Sequence, residues 1–334
     1  MKVLLTGATG FLGKQVLSEL LKEERVSEII LLSRSERKFL DSRIKSVKCD
    51  LSDPTSLYGV KNKVDAIIHL AGLYQFEANY RECYLHNILA TSSIVQWAQR
   101  TQNQPLFLHA SSYAVENDSW GAVSNELPLT ALPSKKKAYA HTKAMAEKLV
   151  LESSVRGVAL RLGILVGDSQ SGEIAKLDGP YYLLNFLQNL KSNRVLGRLP
   201  VLPIPGARKA LLPLVPVDVA ALAFVKALFM NDLKPIYGVY NPNSLRASIL
   251  ANLMVRRYFP RTKVLMTRAP SMTLKLQTRY THIPSQLFDF CFTPTELKNP
   301  EFTRDFSENL VPSFQKYQDV FFRGYSDFLQ RENA

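Results

Sequence analysis

Cysteine is scarce in this chain of 334 residues, where it occurs three times at widely separated positions, Cys49, Cys83 and Cys291. So few thiols cannot build the disulfide framework of a small secreted domain, and an odd number leaves at least one of them unpaired. The five histidines are equally scattered and show none of the spacings of a zinc site. We therefore expect a cytoplasmic protein without disulfides or bound metal, whose cysteines are buried as small apolar residues.

Long apolar runs are also missing. The most apolar stretch, residues 211–230, is interrupted by prolines, Asp218 and Lys226, and is better interpreted as a buried strand and helix than as a membrane span. Residues 2–6 already have the pattern of a core strand, which leaves no room for a signal peptide before them. The composition, with 46% hydrophobic and 21% charged residues, is that of a globular protein. Its length allows one large α/β domain and a smaller lobe.

Acidic residues are absent from two long stretches, which contributes to a net charge of +13. Between Asp178 and Asp218, and again between Asp232 and Asp289, every charged residue is basic: Lys191, Arg194, Arg198, Arg208 and Lys209, then Lys234, Arg246, Arg256, Arg257, Arg261, Lys263, Arg268, Lys275 and Arg279. Three interpretations stay open: a solvated basic face, an entrance for an anionic substrate, and attraction to an anionic membrane surface. Nucleic acid is not expected, because no helix-turn-helix or RNP-like pattern occurs.

A glycine-rich loop follows the first predicted strand and has the features of a nucleotide cradle. The apolar run Val3–Leu5 predicts a buried parallel strand, and residues 14–21 have helical periodicity. The glycines between them are spaced G-x-x-G-x-x-G, so the backbone can turn sharply and approach a pyrophosphate at the helix N-terminus. The alternative is a glycine-rich turn without a ligand. The residues assigned to the cradle are Thr6, Gly7, Thr9, Gly10, Phe11, Leu12 and Gly13.

The second predicted strand, residues 28–32, is followed by Ser33 and Arg34, with Arg37 and Lys38 just beyond. A site that prefers NAD usually has an acidic residue about 20 residues beyond the glycines, where it binds the ribose hydroxyls. A cation at that place would instead pair with a 2′-phosphate. We therefore predict NADP(H) in preference to NAD(H), against the alternative of a basic loop in solvent.

Tyr139 and Lys143 lie four residues apart on a predicted helix, and residues at this spacing share one helical face. A neighbouring cation lowers the pKa of a phenol, which is ordinarily about 10, because it favours the phenolate. Such a tyrosine can transfer a proton to a carbonyl oxygen at neutral pH. The Y-x-x-x-K spacing is weak evidence alone, and its meaning comes from the glycine-rich loop upstream.

Further motifs make the chain resemble the extended short-chain dehydrogenase/reductase superfamily. Besides the T-G-x-x-G-x-x-G loop, Cys49-Asp50-Leu51 is similar to the family's acidic element and His69-Leu70-Ala71-Gly72 to its H-x-A-[AG] stretch. The segment that begins at Asn87 is similar to N-x-x-G-T, and Ser111-Ser112 to the active-site serine pair. Ala90 replaces the usual glycine of the N-x-x-G-T motif. Each motif is common alone, but their order and spacing are specific to the superfamily.

The resemblance implies roles for these residues. Tyr139 would donate the proton, Lys143 would lower the tyrosine pKa and hold the nicotinamide ribose, and Ser112 would orient the carbonyl oxygen. Asn87 would support Lys143 through water. Ser112 is preferred to its neighbour because it fits the S-S-x-x-V pattern. The residues implied in cofactor binding outside the glycine-rich loop are Ser33, Arg34, Asp50, Leu51, Leu70, Ala71, Gly72, Tyr139, Lys143, Leu162, Gly163 and Ile164.

One branch of the superfamily fits best. Residues 161–169, followed by Gly172 and residues 178–182, are similar to the acyl-thioester (fatty acyl-CoA) reductase-like members, and residues 215–220 also suit that branch. Leu162 stands where a proline is usual, so the loop beside the nicotinamide would differ. The C-terminal region matches no pattern residue by residue, which leaves the identity of the substrate open.

Alternating strand-like and helix-like runs predict an α/β fold: a Rossmann-type, doubly wound parallel sheet with a smaller C-terminal substrate lobe. Strands are predicted near residues 2–6, 28–33, 43–48, 64–70, 105–111 and 156–162, and helices near 11–23, 54–60, 79–101, 137–153, 181–192 and 217–230. The predicted NADP(H)-binding domain comprises residues 1–168 and 212–240, and the predicted substrate lobe comprises residues 169–211 and 241–334. Ligands of such sheets bind beyond the carboxyl ends of the strands.

Three functional hypotheses follow. The leading one is an NADPH-dependent reductase of an acyl thioester or a lipid-like aldehyde or ketone, with a small-molecule substrate linked to coenzyme A or to a carrier protein. The second is a sugar-nucleotide epimerase or dehydratase, or a hydroxysteroid-type dehydrogenase, on the same fold. The third is a non-catalytic protein that senses NADP(H). Aromatic residues at largely helical spacing from Phe314 to Phe328 predict core packing or a homodimer contact, or line an acyl-chain pocket. A peripheral membrane contact stays open as well.

Overall fold

The computed structural model describes residues 1–60, 63–75, 78–101, 103–116, 135–191, 200–267 and 310–332. Within these ranges the chain divides into two compact units. The first unit contains the described residues of 1–163 and 216–239, together with residues 310–311. The second contains those of 164–215, 240–267 and 312–332. That the second unit binds the substrate stays a prediction.

The strands described, in chain order, are β1 (Lys2–Thr6), β2 (Glu28–Ser33), β3 (Ile44–Lys48), β4 (Ala66–His69), β5 (Leu106–Ser112), β6 (Arg156–Leu162), β7 (Ile164–Val166), β8 (Val201–Pro205), β9 (Leu211–Leu212), β10 (Leu214–Pro216), β11 (Ile236–Val239), β12 (Leu245–Arg246) and β13 (Lys263–Thr267). The α-helices are α1 (Phe11–Lys22), α2 (Tyr80–Cys83), α3 (Ala90–Gln99), α4 (Lys135–Glu152), α5 (Tyr181–Lys191), α6 (Val217–Ala227), α7 (Ala247–Tyr258) and α8 (Gln318–Glu332). Short 3₁₀ helices form at Pro54–Leu57, Tyr113–Glu116 and Phe314–Lys316, and a π-helical turn at Tyr84–Leu89 joins α2 to α3.

A seven-stranded sheet is the scaffold of the first unit, with the strand order β11-β6-β5-β4-β1-β2-β3. Neighbouring strands pair in parallel, and Val3 of β1 lies opposite Ile29 on one side and Ala66 on the other. Strands β4 and β5 are buried over their whole length, as expected of a parallel sheet with both faces covered. The strand order reverses between β1 and β4, where a doubly wound sheet places its ligand. The predicted Rossmann-type fold is confirmed.

The helices of this unit bury one apolar face each. In α1 the buried positions include Leu12, Val16 and Leu20, four residues apart along the helix, which is the spacing of a single helical face. Helix α1 packs against α6, whereas α4 packs against α3 and against strands β5 and β6. The position of α4 over β5 matters for function, because α4 carries Tyr139 and Lys143 and β5 ends in the serine pair.

Three elements of the first unit differ from the sequence prediction, and in the second unit helix α7 and most of the short strands are not predicted. Strand β11 is not predicted, because it has four residues and includes Gly238, too short a run to be recognised by pattern. The helix predicted at residues 79–101 is divided by a π-helical turn, which contains Asn87. The helix predicted at residues 54–60 is a 3₁₀ turn of four residues, capped by the side chain of Asp53.

The second unit has its own apolar core, to which α5, α7, α8 and the short strands contribute. Strand β8 pairs in parallel with β13, β9 pairs antiparallel with β12, and β7 pairs with β10. The aromatic residues from Phe314 to Phe328 are buried in this core, where Tyr181 stacks on Phe321 with 4.7 Å between the ring centroids. Of the interpretations of this aromatic segment, the structure favours core packing.

Two glycines let the loop after β7 lie directly on α8. Gly172 has a φ angle of 78°, which favours glycine, and a Cβ atom on Gly324 would lie only 1.8 Å from the carbonyl oxygen of Gly172. The Arg323 guanidinium donates a hydrogen bond of 3.0 Å to the carbonyl oxygen of Gln170 in the same loop. The loop and the helix can approach this closely only because neither residue has a side chain.

The basic residues that the structure describes in the acid-free stretches of the second unit are largely exposed. Those between β8 and β13 are Arg208, Lys209, Arg246, Arg256, Arg257, Arg261 and Lys263. Five other basic residues and one cysteine lie outside the described residues: Arg194, Arg198, Arg268, Lys275, Arg279 and Cys291. Among the helices that the structure describes, none combines the length and the apolar character needed to cross a bilayer.

Two histidines lie side by side in the middle of the main sheet. His69 on β4 and His109 on β5 are register partners, and their ring centroids are 5.6 Å apart. Burial, with a smaller effect of the nearby Lys143 charge, lowers the pKa of His69 to about 3 and the pKa of His109 well below its ordinary value. Neither ring nitrogen of His109 has a hydrogen-bond partner within the described structure. Both rings are therefore neutral in the folded protein at neutral pH.

We expect Gly324→Ala to destabilise the protein by about 2–4 kcal/mol, because the added methyl group overlaps backbone atoms of the loop. Thermal unfolding followed by circular dichroism measures the change. Gly59→Ala is the matched control, since no atom lies within 4 Å of a Cβ atom built there. The control should unfold within a few degrees of the wild type, and equal melting temperatures for both variants would contradict the close contact.

We expect His109→Phe to weaken the acid sensitivity of the fold. A histidine pKa that is lowered in the folded state favours folding above its unfolded value of about 6.5, and this contribution is lost as the pH falls toward the folded value. Removing His109 should reduce the loss of unfolding free energy between about pH 6 and pH 4 by about 1 kcal/mol per pH unit. Urea unfolding at several pH values measures the slope. A His109→Phe variant that keeps the wild-type slope would contradict this expectation.

Candidate active site

The glycine-rich loop turns tightly between β1 and α1 and lies against the segment that follows β4. Gly7 has a φ angle of 73°, and a Cβ atom on it would lie 2.7 Å from the backbone nitrogen of Ala71. A Cβ atom on Gly13 would lie 2.0 Å from the carbonyl oxygen of Gly7. The amide of Gly10 donates to that same carbonyl at 3.0 Å. Glycine is therefore required at positions 7 and 13, and the turn brings the start of α1 next to the end of the sheet.

The first turn of α1 is suited to an anion. Gly10 is its N-cap, no side chain bonds the open amides of that turn, and no acidic residue lies in the turn. The first N–H groups of a helix have no partner within it, and the helix dipole favours negative charge there. Thr9 and Gly10 are exposed, whereas Leu12 is buried in the core and can offer only its backbone. The loop therefore fits a pyrophosphate group, as the sequence predicts.

Ser33 and Arg34 follow at the carboxyl end of β2, one strand away from the glycine-rich loop. The Ser33 hydroxyl donates a hydrogen bond of 2.5 Å to the carbonyl oxygen of Ser35, and Arg34 is exposed. Hydrogen bonds from Ser52 lower the pKa of Asp50, and the charge of Arg34 contributes to the shift. A cation is available beside the predicted adenosine site, while the neighbouring Leu51 is buried.

A chain of hydrogen bonds connects the glycine-rich loop with Asn87. The Thr6 hydroxyl accepts from the amide of Ala71 at 3.1 Å and bonds the Nδ1 atom of His69 at 2.8 Å. The Nε2 atom of His69 bonds the Thr91 hydroxyl at 3.0 Å, and Thr91 in turn donates to the backbone carbonyl of Asn87 at 2.6 Å. Because Thr91 uses its proton on that carbonyl, His69 donates from Nε2 and accepts at Nδ1. The neutral ring is thus the form that satisfies every partner.

Asn87 fixes the segment after β4 and the helix that carries the predicted catalytic residues. Its Oδ1 atom accepts from the amide of Leu73 at 2.7 Å, and its Nδ2 atom donates to the Thr142 hydroxyl at 3.0 Å. A Cβ atom on Gly72 would lie 3.1 Å from Asn87 Oδ1 and 3.9 Å from Lys143 Nζ. Gly72, Asn87 and Lys143 are therefore neighbours. The direct bonds of Asn87 go to Leu73 and Thr142, and its support of Lys143 through water stays a prediction.

Lys143 lies on the buried face of α4, with 7% of its surface exposed. Its ammonium group donates a hydrogen bond to the carbonyl oxygen of Ala110 on β5. Burial lowers the pKa of Lys143 to about 8, against the opposing effect of the Glu147 carboxylate. Tyr139, one turn earlier on α4, is partly buried, and its ring packs edge-on against Tyr74 with 5.1 Å between the centroids. The lysine is therefore still mostly charged at pH 7.

The two serines at the end of β5 have different surroundings. Ser111 donates a hydrogen bond of 2.5 Å to the carboxylate of Glu147 on α4. Ser112 accepts a bond of 3.2 Å from the amide of Ala114 and lies two residues beyond the carbonyl that holds Lys143. Successive side chains of a strand point to opposite faces of the sheet, so the two hydroxyls cannot serve the same site. Since Ser111 is committed to Glu147, this geometry favours Ser112 as the hydroxyl that meets a substrate.

The remaining predicted cofactor residues lie at the ends of two strands. Leu70 and Ala71 continue from β4 against Gly7, and their backbone atoms would be the nearest to any side chain placed there. Leu162 ends β6 and is buried, and the amide of Gly163 donates to the carbonyl oxygen of Val239 at 3.1 Å. Ile164 begins the second unit, where its amide donates to the carbonyl oxygen of Pro213 at 2.7 Å.

Three polar contributors to this site are absent from the sequence prediction: His69 as a hydrogen-bonding partner, Thr142 and Glu147. His69 belongs to the H-x-A-[AG] stretch, which is a signal for its position but not for its bonds. Glu147 lies four residues after Lys143, a spacing that places both on one helical face, whereas Thr142 is the immediate neighbour of Lys143 and has no such spacing. Their partners on β5 and in the π-helical turn are distant in sequence and leave no local signal.

Comparison with known proteins identifies the family of the chain. The chain matches the family described as Male sterility protein over residues 5–56 and 35–224, which together cover more than half of its length. Fatty acyl-CoA reductase 1 of Mus musculus is 26% identical over 291 residues, an alignment that covers 69% of this chain and 55% of that protein. The chain thus spans about half the length of the curated relatives it matches.

Two solved structures share the fold. The terminal R domain from the myxalamid PKS-NRPS biosynthetic pathway superposes with a TM-score of 0.68 at 23% identity, covering 97% of this chain and 90% of that one. The Bordetella bronchiseptica enzyme WbmG in complex with NAD and UDP superposes with a TM-score of 0.66 at 14% identity, covering 98% and 95%. At these identities the likeness concerns the fold alone.

The glycine-rich loop, the Tyr139–Lys143 helix and the family match lead to one assignment, and the resemblance stated from the sequence is confirmed. The chain belongs to the Male sterility protein family, the fatty acyl-CoA reductase-like branch of the extended short-chain dehydrogenase/reductases, a family of NAD(P)-dependent oxidoreductases.

Proposed function

We propose that this protein reduces the carbonyl group of an acyl thioester, or of a lipid-like aldehyde or ketone, with NADPH. The observation that carries the proposal is the position of Lys143. Its ammonium group is held by the Ala110 carbonyl, beside Gly72 and one helical turn from Tyr139. A cation at this place would lower the pKa of the Tyr139 phenol and would also bind the hydroxyls of the nicotinamide ribose. The name of the relative, fatty acyl-CoA reductase 1, supports the choice of an acyl thioester.

The loop and the strand ends would hold the cofactor. The backbone of residues 10–13 would bind the pyrophosphate, Asp50 and Leu51 the adenine, and Lys143 the hydroxyls of the nicotinamide ribose. When bound, NADPH supplies the hydride for the carbonyl carbon. The first turn of α1 has no side-chain cap bond and no acidic residue, and Gly7 and Gly13 allow the tight turn that precedes it, so the residues present fit the cofactor.

The chain's own residues would neutralise and stabilise the negative charge that develops on the carbonyl oxygen. Tyr139 would donate its proton to that oxygen, and Ser112 would donate a hydrogen bond that orients it. A cation beside a phenol favours the phenolate, so the Lys143 ammonium would ease this proton transfer. With a thioester, the carbon reached by hydride would next release the thiol of its carrier and leave an aldehyde. A carrier of either kind, coenzyme A or a protein, fits this scheme.

Arg34 supports NADPH over NADH. It follows β2 directly and is exposed, and its charge adds to the hydrogen bonds of Ser52 in lowering the pKa of Asp50. A guanidinium binds phosphate through two parallel hydrogen bonds, which a 2′-phosphate offers and a free ribose hydroxyl does not. The Asp50 carboxylate already accepts from the amide and the hydroxyl of Ser52.

We expect the protein to oxidise NADPH in the presence of long-chain acyl-CoA or of the corresponding aldehyde, and we expect Tyr139→Phe to lose this turnover by about 10²- to 10⁴-fold. The loss should appear in kcat, with the Kd for NADPH changed less than about twofold, because the phenol acts on the substrate. The decline of NADPH absorbance measures turnover, and quenching of protein fluorescence measures binding.

Tyr58→Phe is the control for this experiment, since Tyr58 is exposed and lies far from α4 in the sequence. A parallel assay with UDP-sugars tests the alternative of a sugar-nucleotide enzyme. This alternative is included because WbmG, which shares the fold, was solved with NAD and UDP. Turnover of UDP-sugars alone would defeat the thioester proposal. Wild-type activity in Tyr139→Phe would remove this residue from the chemistry while leaving the fold assignment intact.

We expect Arg34→Ala to weaken NADPH binding by about 10- to 100-fold while changing NADH binding less than about threefold, since one charge-assisted phosphate contact is lost. Isothermal titration of both nucleotides gives the two ratios. Lys22→Ala is the matched control, because this exposed cation lies at the opposite end of α1 from the glycine-rich loop. Equal affinities of the wild type for NADPH and NADH would refute the assigned preference.

A further inference from the structure

Glu147 is a buried carboxylate that connects helix α4 with two strands of the main sheet. It lies on α4, one turn beyond Lys143, and has 4% of its surface exposed. One carboxylate oxygen accepts from the Ser111 hydroxyl on β5 at 2.5 Å. The Arg161 guanidinium on β6 donates to both oxygens, at 2.6 Å from Nη2 and at 3.0 Å from Nε. Ser111 and Arg161 are register partners on adjacent strands, so one side chain fastens α4 to both.

Cohesion alone is a poor explanation for this arrangement. Removing two charges from water is costly, and a buried ion pair often stabilises a fold no better than apolar side chains of the same size. Val150 of the same helix is a fully buried apolar residue in the core beneath α4, so helix packing there does not require charge. The carboxylate therefore calls for a role in which its negative charge is used.

Arg161 is one cation that faces this carboxylate, with 2.6 Å between its Nη2 atom and Oε1, and Lys143 is a second, four residues earlier on the same helical face. Burial disfavours the charged lysine, and Glu147 is the group whose charge opposes that effect. The other charged or titratable groups on the elements packed around Lys143 are Tyr139 on α4, Arg161 on β6, which pairs with Glu147, and the histidines on β4 and β5. Both histidines are neutral, and neither can supply negative charge. Within the described structure, Glu147 is thus the carboxylate that compensates Lys143.

We propose that Glu147 is a positioning residue, which keeps the ammonium of Lys143 charged where it meets the cofactor ribose and fixes α4 over β5 and β6. The inference rests on the proposed function for its catalytic meaning, but it concerns cofactor binding directly. Its two parts are separable, because the charge acts on Lys143 and the length of the side chain serves the bridge to Ser111 and Arg161.

The pH dependence of NADP⁺ binding tests the charge. Affinity should fall as Lys143 loses its proton, with a midpoint near pH 8 in the wild type. In Glu147→Gln the charge is gone and the shape is kept, so the midpoint should move at least about one pH unit lower. Glu152→Gln is the matched control on the same helix, where an exposed carboxylate lies 3.7 Å from Lys148. It should keep the wild-type midpoint.

Glu147→Asp separates charge from length. It retains the carboxylate opposite Arg161 but is too short for both contacts, so we expect the wild-type midpoint together with a lower kcat. This variant also decides the matter if Glu147→Gln does not fold. A shifted midpoint in Glu147→Asp, an unshifted midpoint in folded Glu147→Gln, or wild-type binding without any midpoint between about pH 6.5 and 9.5 would each overturn the proposal.

The proposed function fails by a different result. If no carbonyl substrate is reduced, the reductase assignment is lost, yet the NADP⁺ titrations still report whether Glu147 holds the charge of Lys143. If the titrations fail while acyl-CoA is reduced, the function stands and Glu147 is only a structural link between α4 and the sheet.

Discussion

A single buried ammonium group, that of Lys143, sets the conditions for the polar residues around it. A charge removed from water is tolerated only where neighbouring groups compensate it. Here the Ala110 carbonyl accepts from it and the Glu147 carboxylate offsets its charge. The histidines beneath α4 stay neutral, because burial disfavours their charged form and the lysine adds repulsion. One electrostatic constraint thus links α4 with β4, β5 and β6, and it leaves a cation at the carboxyl edge of the sheet.

The sequence pattern is informative where the cause of a structure is local. The glycine-rich loop is predictable because a turn with a positive φ angle at Gly7, and a backbone contact at Gly13, admit no side chain. The central strands are predictable because both faces are covered, which makes them continuous apolar runs. By contrast, strand β11 is too short to stand out, and the π-helical turn around Asn87 interrupts a segment whose periodicity reads as one helix. The bonds of Glu147 and His69 join residues far apart in the chain, so they cannot be predicted from the spacing of residues in the sequence.

The serine pair shows how a motif and a structure answer different questions. The motif places two hydroxyls at the end of β5, and its resemblance to S-S-x-x-V indicates that the second, Ser112, meets the substrate. The structure adds a physical reason, because the pleat of a strand separates neighbouring side chains and Ser111 is bound to Glu147. The same reasoning applies to Asn87, whose amide is used on Leu73 and Thr142. A residue with satisfied partners organises a site, and a residue at an open strand end can meet a ligand.

Charge and apolar packing would contribute to substrate choice in different ways. Coenzyme A, an acidic carrier protein and a UDP-sugar all bring negative charge, and the exposed cations between Arg208 and Lys263 would attract each of them. Attraction of this kind raises association rates more than it selects a partner. Selection between a thioester and a sugar must then come from groups that contact the uncharged part of the substrate. The second unit has a dense aromatic core from Phe314 to Phe328, which is already packed against Tyr181 and its neighbours. The aromatic residues from Phe314 to Phe328 are committed to internal packing, so this selection would fall to side chains outside that segment.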